Sequence, residues 1–171
     1  FEPEVLKVYA THYQTGEVIP QELVDKIVKS SKYGQGFATV EYLAASLLDM
    51  DYHTLKEQLP GMDIEAFEAE AMNKRGLIRQ IPPRYRTTYF GHTMEGGYTA
   101  GYYSYIWAEV LDADAFEAYK ETGDIFNLEV ASKFRKYVLT PGGIDDAMDM
   151  YKNFRGKEPG IEPLLKNRGL K

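Results

Sequence analysis

The sequence predicts an all-α fold, an irregular multi-helix domain without a sheet, and three observations carry that expectation. Apolar residues return at helical spacing in segment after segment. No stretch alternates apolar and polar residues as a half-buried strand does, and glycine, proline and capping residues punctuate the segments. The 171 residues suffice for one medium domain, residues 1–171, with a core of its own.

Residues 2–13 read as the first helix, with Val5, Leu6, Val8 and Tyr9 apolar, and QTGEVIP ends it at Gly16 and Pro20. Pro20 suits the first turn of PQELVDKIVKSSKYG, where Leu23, Ile27 and Val28 form one stripe before Gly34 and Gly36 stop the helix. Residues 37–55 follow, apolar over much of the circumference at Phe37, Val40, Tyr42, Leu43, Leu47 and Leu48, which predicts a helix central to the core. Asp63 is placed to cap an alanine- and glutamate-rich helix reaching residue 77. Residues 78–97 form a long irregular link, and links of that length inside a domain are more often functional than idle. A long helix over 98–119 comes next, ETGDIFN closes it, and Asn127 caps 128–139. TPGG precedes a short helix over 145–154, and GKEPG precedes a final turn over 162–167.

Composition excludes several classes of function. The net charge of −6 and the pI near 5.2 argue against nucleic acid or an anionic membrane as partner. No apolar run approaches the roughly 20 residues of a membrane span. With no cysteine there is no disulfide, thiolate zinc site or cysteine nucleophile. The chain opens at Phe1, without a methionine and directly in helical pattern, which predicts a piece of a longer polypeptide.

Motifs for hydrolytic or nucleotide chemistry are equally sparse. The three histidines, His12, His53 and His92, include no H-E-x-x-H pair, and the spacing of His53 and Glu57 alone does not make a zinc site. No nucleophile elbow, dinucleotide fingerprint or P-loop occurs. What stands out is HTMEGGYTAGYYSY, residues 92–105, in a chain with 14 tyrosines against 8 phenylalanines and one tryptophan.

On a helix starting at Tyr98, the residues Tyr98, Tyr102 and Tyr105 share one face, continued by Glu109 and Asp112, while Tyr103, Trp107, Val110 and Leu111 read as packing. Gly97 and Gly101 leave the backbone bare enough for a close approach. A phenol with an ordinary pKa near 10 is a neutral donor at pH 7, suited to a carbonyl oxygen or a developing oxyanion, and His92 stands ready as a second donor. Composition and spacing alone favour a tyrosine-rich helix packed in a core, each hydroxyl finding a backbone partner.

The order of residues in HTMEGGYTAGYYSYIWAEVLDADAF resembles the carboxy-terminal signature of the thimet-oligopeptidase family of zinc metallopeptidases. QTGEVIPQELVDKI, QGFATVEYLAASLLDMDYHTL, PPRYRTTYFGHT, FRGKEP and the LLKNRGL end extend the likeness over essentially the whole chain. The six-residue step from His92 to Tyr98 and the PPRYR lead-in are more similar to the bacterial peptidyl-dipeptidase branch than to the thimet-type branch. Glu95 departs from that branch, where a further glycine is expected.

The resemblance implies the carboxy-terminal portion of a larger helical, zincin-type peptidase. Such enzymes hold one zinc through an H-E-x-x-H helix and a downstream glutamate, and peptidyl-dipeptidases release carboxy-terminal dipeptides from short peptides. Those ligands precede the matched region, so the implied partners are peptide substrates and the remainder of a parent chain, and no hydrolysis is expected of these residues alone. The resemblance implies that His92 contacts the substrate backbone, that Tyr105 donates to the tetrahedral oxyanion, and that Tyr98 binds substrate and helps close the site. Tyr102 is a weaker candidate to line the cleft.

Arg84 and Arg86 are candidates for the substrate's free carboxylate, which arginine can bind in bidentate fashion, although structural ion pairs to acidic helices account for them better. Endopeptidase action within the same family, a helical peptide-binding module and a purely structural helical domain are the alternatives. Half of a two-part cleft would expose apolar surface and self-associate.

Overall fold

The computed structural model describes residues 2–57 and 60–171; Phe1, which bears on the expected truncated start, lies outside them. The described residues form α1 (Pro3–Tyr9), α2 (Gln21–Ser30), α3 (Gln35–His53), α4 (Ile64–Lys74), a one-turn α5 (Gly91–Met94), α6 (Ser104–Lys120), α7 (Leu128–Phe134), α8 (Ala147–Arg155) and α9 (Glu162–Asn167). A 3₁₀ turn, Thr87–Tyr89, and a π turn, Arg135–Leu139, complete the list. There is no strand among the described residues, only an isolated antiparallel bridge between Thr11 and Val18. The fold is all-α, as the periodicity predicts, and it divides into two compact units.

The unit Gly34–Ala108 is organised by α3. Gly34 takes a left-handed φ of 70° at the start of this helix, a conformation that glycine adopts without a Cβ clash. Gly36 lies inside the first turn of α3 and is not a stop for α2. One stripe of α3 packs Tyr42 and Ala45 against Phe90 and Tyr102, with Tyr85, Tyr105 and Ile106 at the margin. A second stripe packs Ala44 and Leu48 against Ala71 and Met72 of α4, with Tyr52, Phe67 and Leu77 around them.

α3 takes part in both of these core clusters, as a helix central to the core should, and its remaining side is open. Val40, Leu43 and Leu47 stay exposed, Leu43 at 39%, and with Met72, Leu77, Ile78 and Ile81 they line an open apolar groove. Tyr103 and Trp107, read as packing, are also exposed, Trp107 at 57%. Asp63 caps α4 as predicted, accepting hydrogen bonds from the backbone N–H groups of Glu65 and Ala66. Gly76, at φ 73°, lies just past the end of that helix.

The second unit comprises Phe1–Tyr33 and Glu109–Lys171. The first helix stops at Tyr9, four residues short of its predicted end, because the following backbone groups pair across a turn. His12 N–H donates to the Glu17 carbonyl, Ile19 N–H to that of Ala10 and Gly16 N–H to that of His12. The predicted helix over 128–139 is α7, capped by the Asn127 side chain on Val130 N–H, running on into the π turn. Asp146, one residue past the expected start, caps α8 through Met148 and Asp149 N–H.

The centre of this unit is a buried acid. Asp114 accepts from the Tyr151 hydroxyl at 2.6 Å and from Arg155 Nε at 3.1 Å, and Arg155 grips Glu121 with its two terminal nitrogens, each at 2.7 Å. Burial first, then the bond to Asp114, pushes the Tyr151 phenol above its ordinary pKa.

Replacing Asp63 by alanine leaves two N–H groups of α4 without their side-chain acceptor and is expected to cost about 1 kcal/mol. Urea denaturation should show this as a lower midpoint at unchanged slope, with Asp63→Asn close to the parent.

Candidate active site

The tyrosine segment reaches its conformation by a route that spacing did not predict. The helix expected from Tyr98 begins only at Ser104, and residues 97–103 are turns. Ala100 lies in the left-handed region at φ 52°, the single non-glycine residue with positive φ among those described, at a cost of roughly 1 kcal/mol for a residue with a Cβ. The helical i, i+4, i+7 argument for Tyr98, Tyr102 and Tyr105 therefore does not describe this backbone, yet the three rings still meet.

Side chains from α3 hold that backbone. Asp49 is fully buried, and its carboxylate accepts from Ala100 N–H at 3.1 Å and Tyr102 N–H at 3.0 Å. His53 Nδ1 is 2.8 Å from both the carboxylate and the carbonyl of Asp49, and two acceptors at that distance place the proton on Nδ1. Two turns earlier, the Tyr42 hydroxyl donates to the Tyr102 carbonyl at 3.0 Å and accepts from Ile106 N–H at 3.1 Å. The loop before Tyr98 folds back on α5: Tyr98 N–H donates to the His92 carbonyl, and the Thr99 hydroxyl to the Thr93 carbonyl. Gly96 is the glycine this return requires, since a Cβ there would meet the His92 carbonyl oxygen at 2.9 Å.

The result is a continuous aromatic cluster. Tyr98 and Tyr105 stack at 4.9 Å between ring centroids, Tyr105 meets Tyr102 edge-on at 5.2 Å, and His92 lies 6.1 Å from Tyr98 and 5.8 Å from Tyr102. Tyr98 and Tyr105 keep solvent access, and His92 is half-buried. Tyr102, a candidate to line the cleft, is only 3% exposed and packs with Tyr42, Ala45 and Phe90. Burial raises its phenol pKa, against the opposing charge of Arg84. Hydrogen bonding to the Tyr98 hydroxyl, aided by desolvation, pushes the Tyr105 phenol up to about 12. The neutral form is the stabilised one, so Tyr105 remains a donor as pH rises past 10.

The two arginines part company. Arg86 Nε pairs with the buried Glu68 carboxylate, which also accepts from Thr87 N–H and the Thr87 hydroxyl at 2.8 and 2.7 Å. That arrangement fastens the segment ahead of His92 to α4 and gives Arg86 a structural ion pair. Arg84 is exposed, bound through its backbone N–H to the Glu41 carbonyl, and its charge reaches the tyrosine cluster. Tyr85, unremarked in the sequence, stacks on Phe90 at 5.2 Å and lies 4.7 Å from His92. Sequence reasoning missed Asp49 as well: α3 also carries Glu41 and Asp51, and no local pattern marks which of its three acids is buried. Among the described residues no group of three or more histidine, aspartate or glutamate side chains could hold a metal ion.

Comparison with known proteins follows the same line. The family model of peptidase family M3 matches residues 1–170. The chain is 40% identical over 169 residues to the dipeptidyl carboxypeptidase of Escherichia coli (strain K12), covering 98% of this chain and 25% of that protein. It is 38% identical over 174 residues to oligopeptidase A of the same organism, covering 100% and 25%. To saccharolysin of Saccharomyces cerevisiae (strain ATCC 204508 / S288c) it is 34% identical over 164 residues, covering 94% and 22%. The chain thus spans about a quarter of the length of the curated relatives it matches.

The Tyr98–Tyr105 interaction has a direct signature. The ¹³Cζ resonance of Tyr105 should titrate near pH 12, and Tyr98→Phe should bring it down toward the ordinary value of about 10. An unmoved midpoint would show that the Tyr98 hydroxyl is not what holds the proton.

Proposed function

The chain belongs to peptidase family M3, and on that premise we propose that it supplies the substrate-holding part of a peptidase that releases carboxy-terminal dipeptides. The observation carrying this reading is the convergence of His92, Tyr98 and Tyr105 on one accessible face, with the Tyr105 proton held to about 12. His92 and Tyr98 hold the substrate backbone. Tyr105, donating to Tyr98 in the free protein, transfers that hydrogen bond to the peptide oxygen as negative charge develops there. Tyr102 acts from beneath by fixing the ring positions.

The described residues do not form a zinc site. On this reading the metal and its general base come from the rest of the parent protein, and no hydrolysis is expected of residues 1–171 alone. The open groove of Val40, Leu43, Leu47, Leu77 and Ile78 is the apolar surface that the remainder of the parent covers.

Arg84 is the candidate for the free carboxylate of the substrate, because Arg86 is already paired with Glu68. The competing reading, endopeptidase action as in an oligopeptidase, draws on the nearly equal identity to oligopeptidase A. Amidated peptides separate the two, since an endopeptidase does not need a free carboxylate.

In the full-length protein, Tyr105→Phe should lower kcat by about 10²–10³-fold, the loss typical of one oxyanion donor, with KM little changed because the bond strengthens in the transition state. Full kcat in this variant would remove Tyr105 from that role. Arg84→Ala should raise KM for free-acid peptides about tenfold or more, as loss of a charged hydrogen bond does, and abolish the preference over amidated peptides. An intact preference would assign the carboxylate elsewhere.

A further inference from the structure

We propose that Asp49 is a positioning residue of the site: its carboxylate binds the turn between Tyr98 and Tyr105, stops the helix from starting early, and thereby sets the register of the two rings. The functional half of this inference rests on the peptidase reading above; the structural half does not.

Three observations converge on it. Asp49 is fully buried on α3, and a carboxylate out of water is tolerated only where its oxygens are satisfied. Its two oxygens are taken by backbone N–H groups at Ala100 and Tyr102 and by His53 Nδ1, with no arginine or lysine among these partners. This is the chemistry of an anion-binding nest, in which N–H groups around a left-handed residue converge on one negative group, with the protein's own side chain as the anion. Ala100 is the left-handed residue, at φ 52°, in a position where glycine would be the relaxed choice.

The second observation is what the turn prevents. Tyr98, Tyr102 and Tyr105 are spaced for a helix, and α6 nevertheless begins at Ser104. In a helix from Tyr98 the Tyr102 N–H would donate to the Tyr98 carbonyl; here it is committed to Asp49, as is Ala100 N–H. On a helix Tyr98 and Tyr105 would lie two turns apart along the axis, about 10 Å at 1.5 Å per residue. The observed centroid separation is 4.9 Å. The stack forms across a stretch of turns, where helical rise does not fix the spacing of the two residues.

The third is continuity. Tyr42 and Asp49 occupy one stripe of α3 and grip the same segment at Tyr102, Ile106 and Ala100, so the grip belongs to the body of the unit.

The test uses the full-length protein carrying Asp49→Asn, in which the amide NH₂ faces one backbone donor and cannot accept from it. The ¹³Cζ midpoint of Tyr105 should fall from about 12 toward 10, and kcat should fall on the order of tenfold or more with KM little changed. Ala100→Gly added to this variant should restore part of both, because glycine holds the left-handed turn without help. Should Asp49→Asn fail to fold, Ala100→Val approaches the same point from the loop, since a β-branched residue resists positive φ; it should lower the midpoint with Asp49 intact.

A folded Asp49→Asn or Ala100→Val variant whose Tyr105 midpoint stays near 12 overturns the proposal. A lowered midpoint with unchanged kcat upholds the positioning and overturns the role of Tyr105 in catalysis, so the two failures are told apart.

Discussion

A buried carboxylate closing on two backbone N–H groups more than fifty residues along the chain is the constraint on which the site depends. Asp49 cannot relax into water, and the Ala100 turn cannot release it without orphaning donors inside the unit. Leaving such groups unpaired costs roughly 1–3 kcal/mol each, more where a charge is involved. Tyr42 adds a second clasp on the same stripe, and Ala45 between them is small enough to let Phe90 and Tyr102 close on α3. The helix is therefore a template on which an irregular, glycine-rich segment takes one shape.

The same device recurs away from the tyrosines. Glu68 of α4 secures Arg86 and Thr87, with the Tyr52 hydroxyl completing the set at 2.9 Å from Thr87 Oγ1. Within the other unit, Asp114 gathers Tyr151 and Arg155. In each case an acid on a regular helix satisfies groups belonging to a segment or helix distant in the chain. A protein that must present an irregular surface needs such fixed acceptors, because a turn cannot satisfy its own backbone as a helix does.

Rigidity of this kind suits the chemistry assigned to the site. A hydrogen-bond donor contributes to catalysis when it is already aimed before charge develops. The hydrogen bond between the hydroxyls of the stacked Tyr98 and Tyr105 keeps Tyr105 neutral well beyond the pH at which a free phenol ionises. The cluster of Tyr85, Phe90, His92 and Tyr102 behind them fills the space that would otherwise allow the rings to turn.

The sequence by itself determined the helical class, the caps at Asp63 and Asn127, the turn glycine Gly34 and, through the order of residues around HTMEGGYTAGYYSY, the family. These are local signals, each read within a few residues of where it acts. Only the tertiary structure decided that α6 starts at Ser104, that Tyr102 is buried, that Arg86 pairs with Glu68, and that Leu43 and Leu47 of α3 face outward. Spacing assigned Tyr98, Tyr102 and Tyr105 to one helical face; the rings do meet, but on a turn. The physical reason is distance along the chain. Helical propensity at 98–103 is a small, local preference, and it is overruled by hydrogen bonds to Asp49 and with Tyr42, whose partners no local pattern can name.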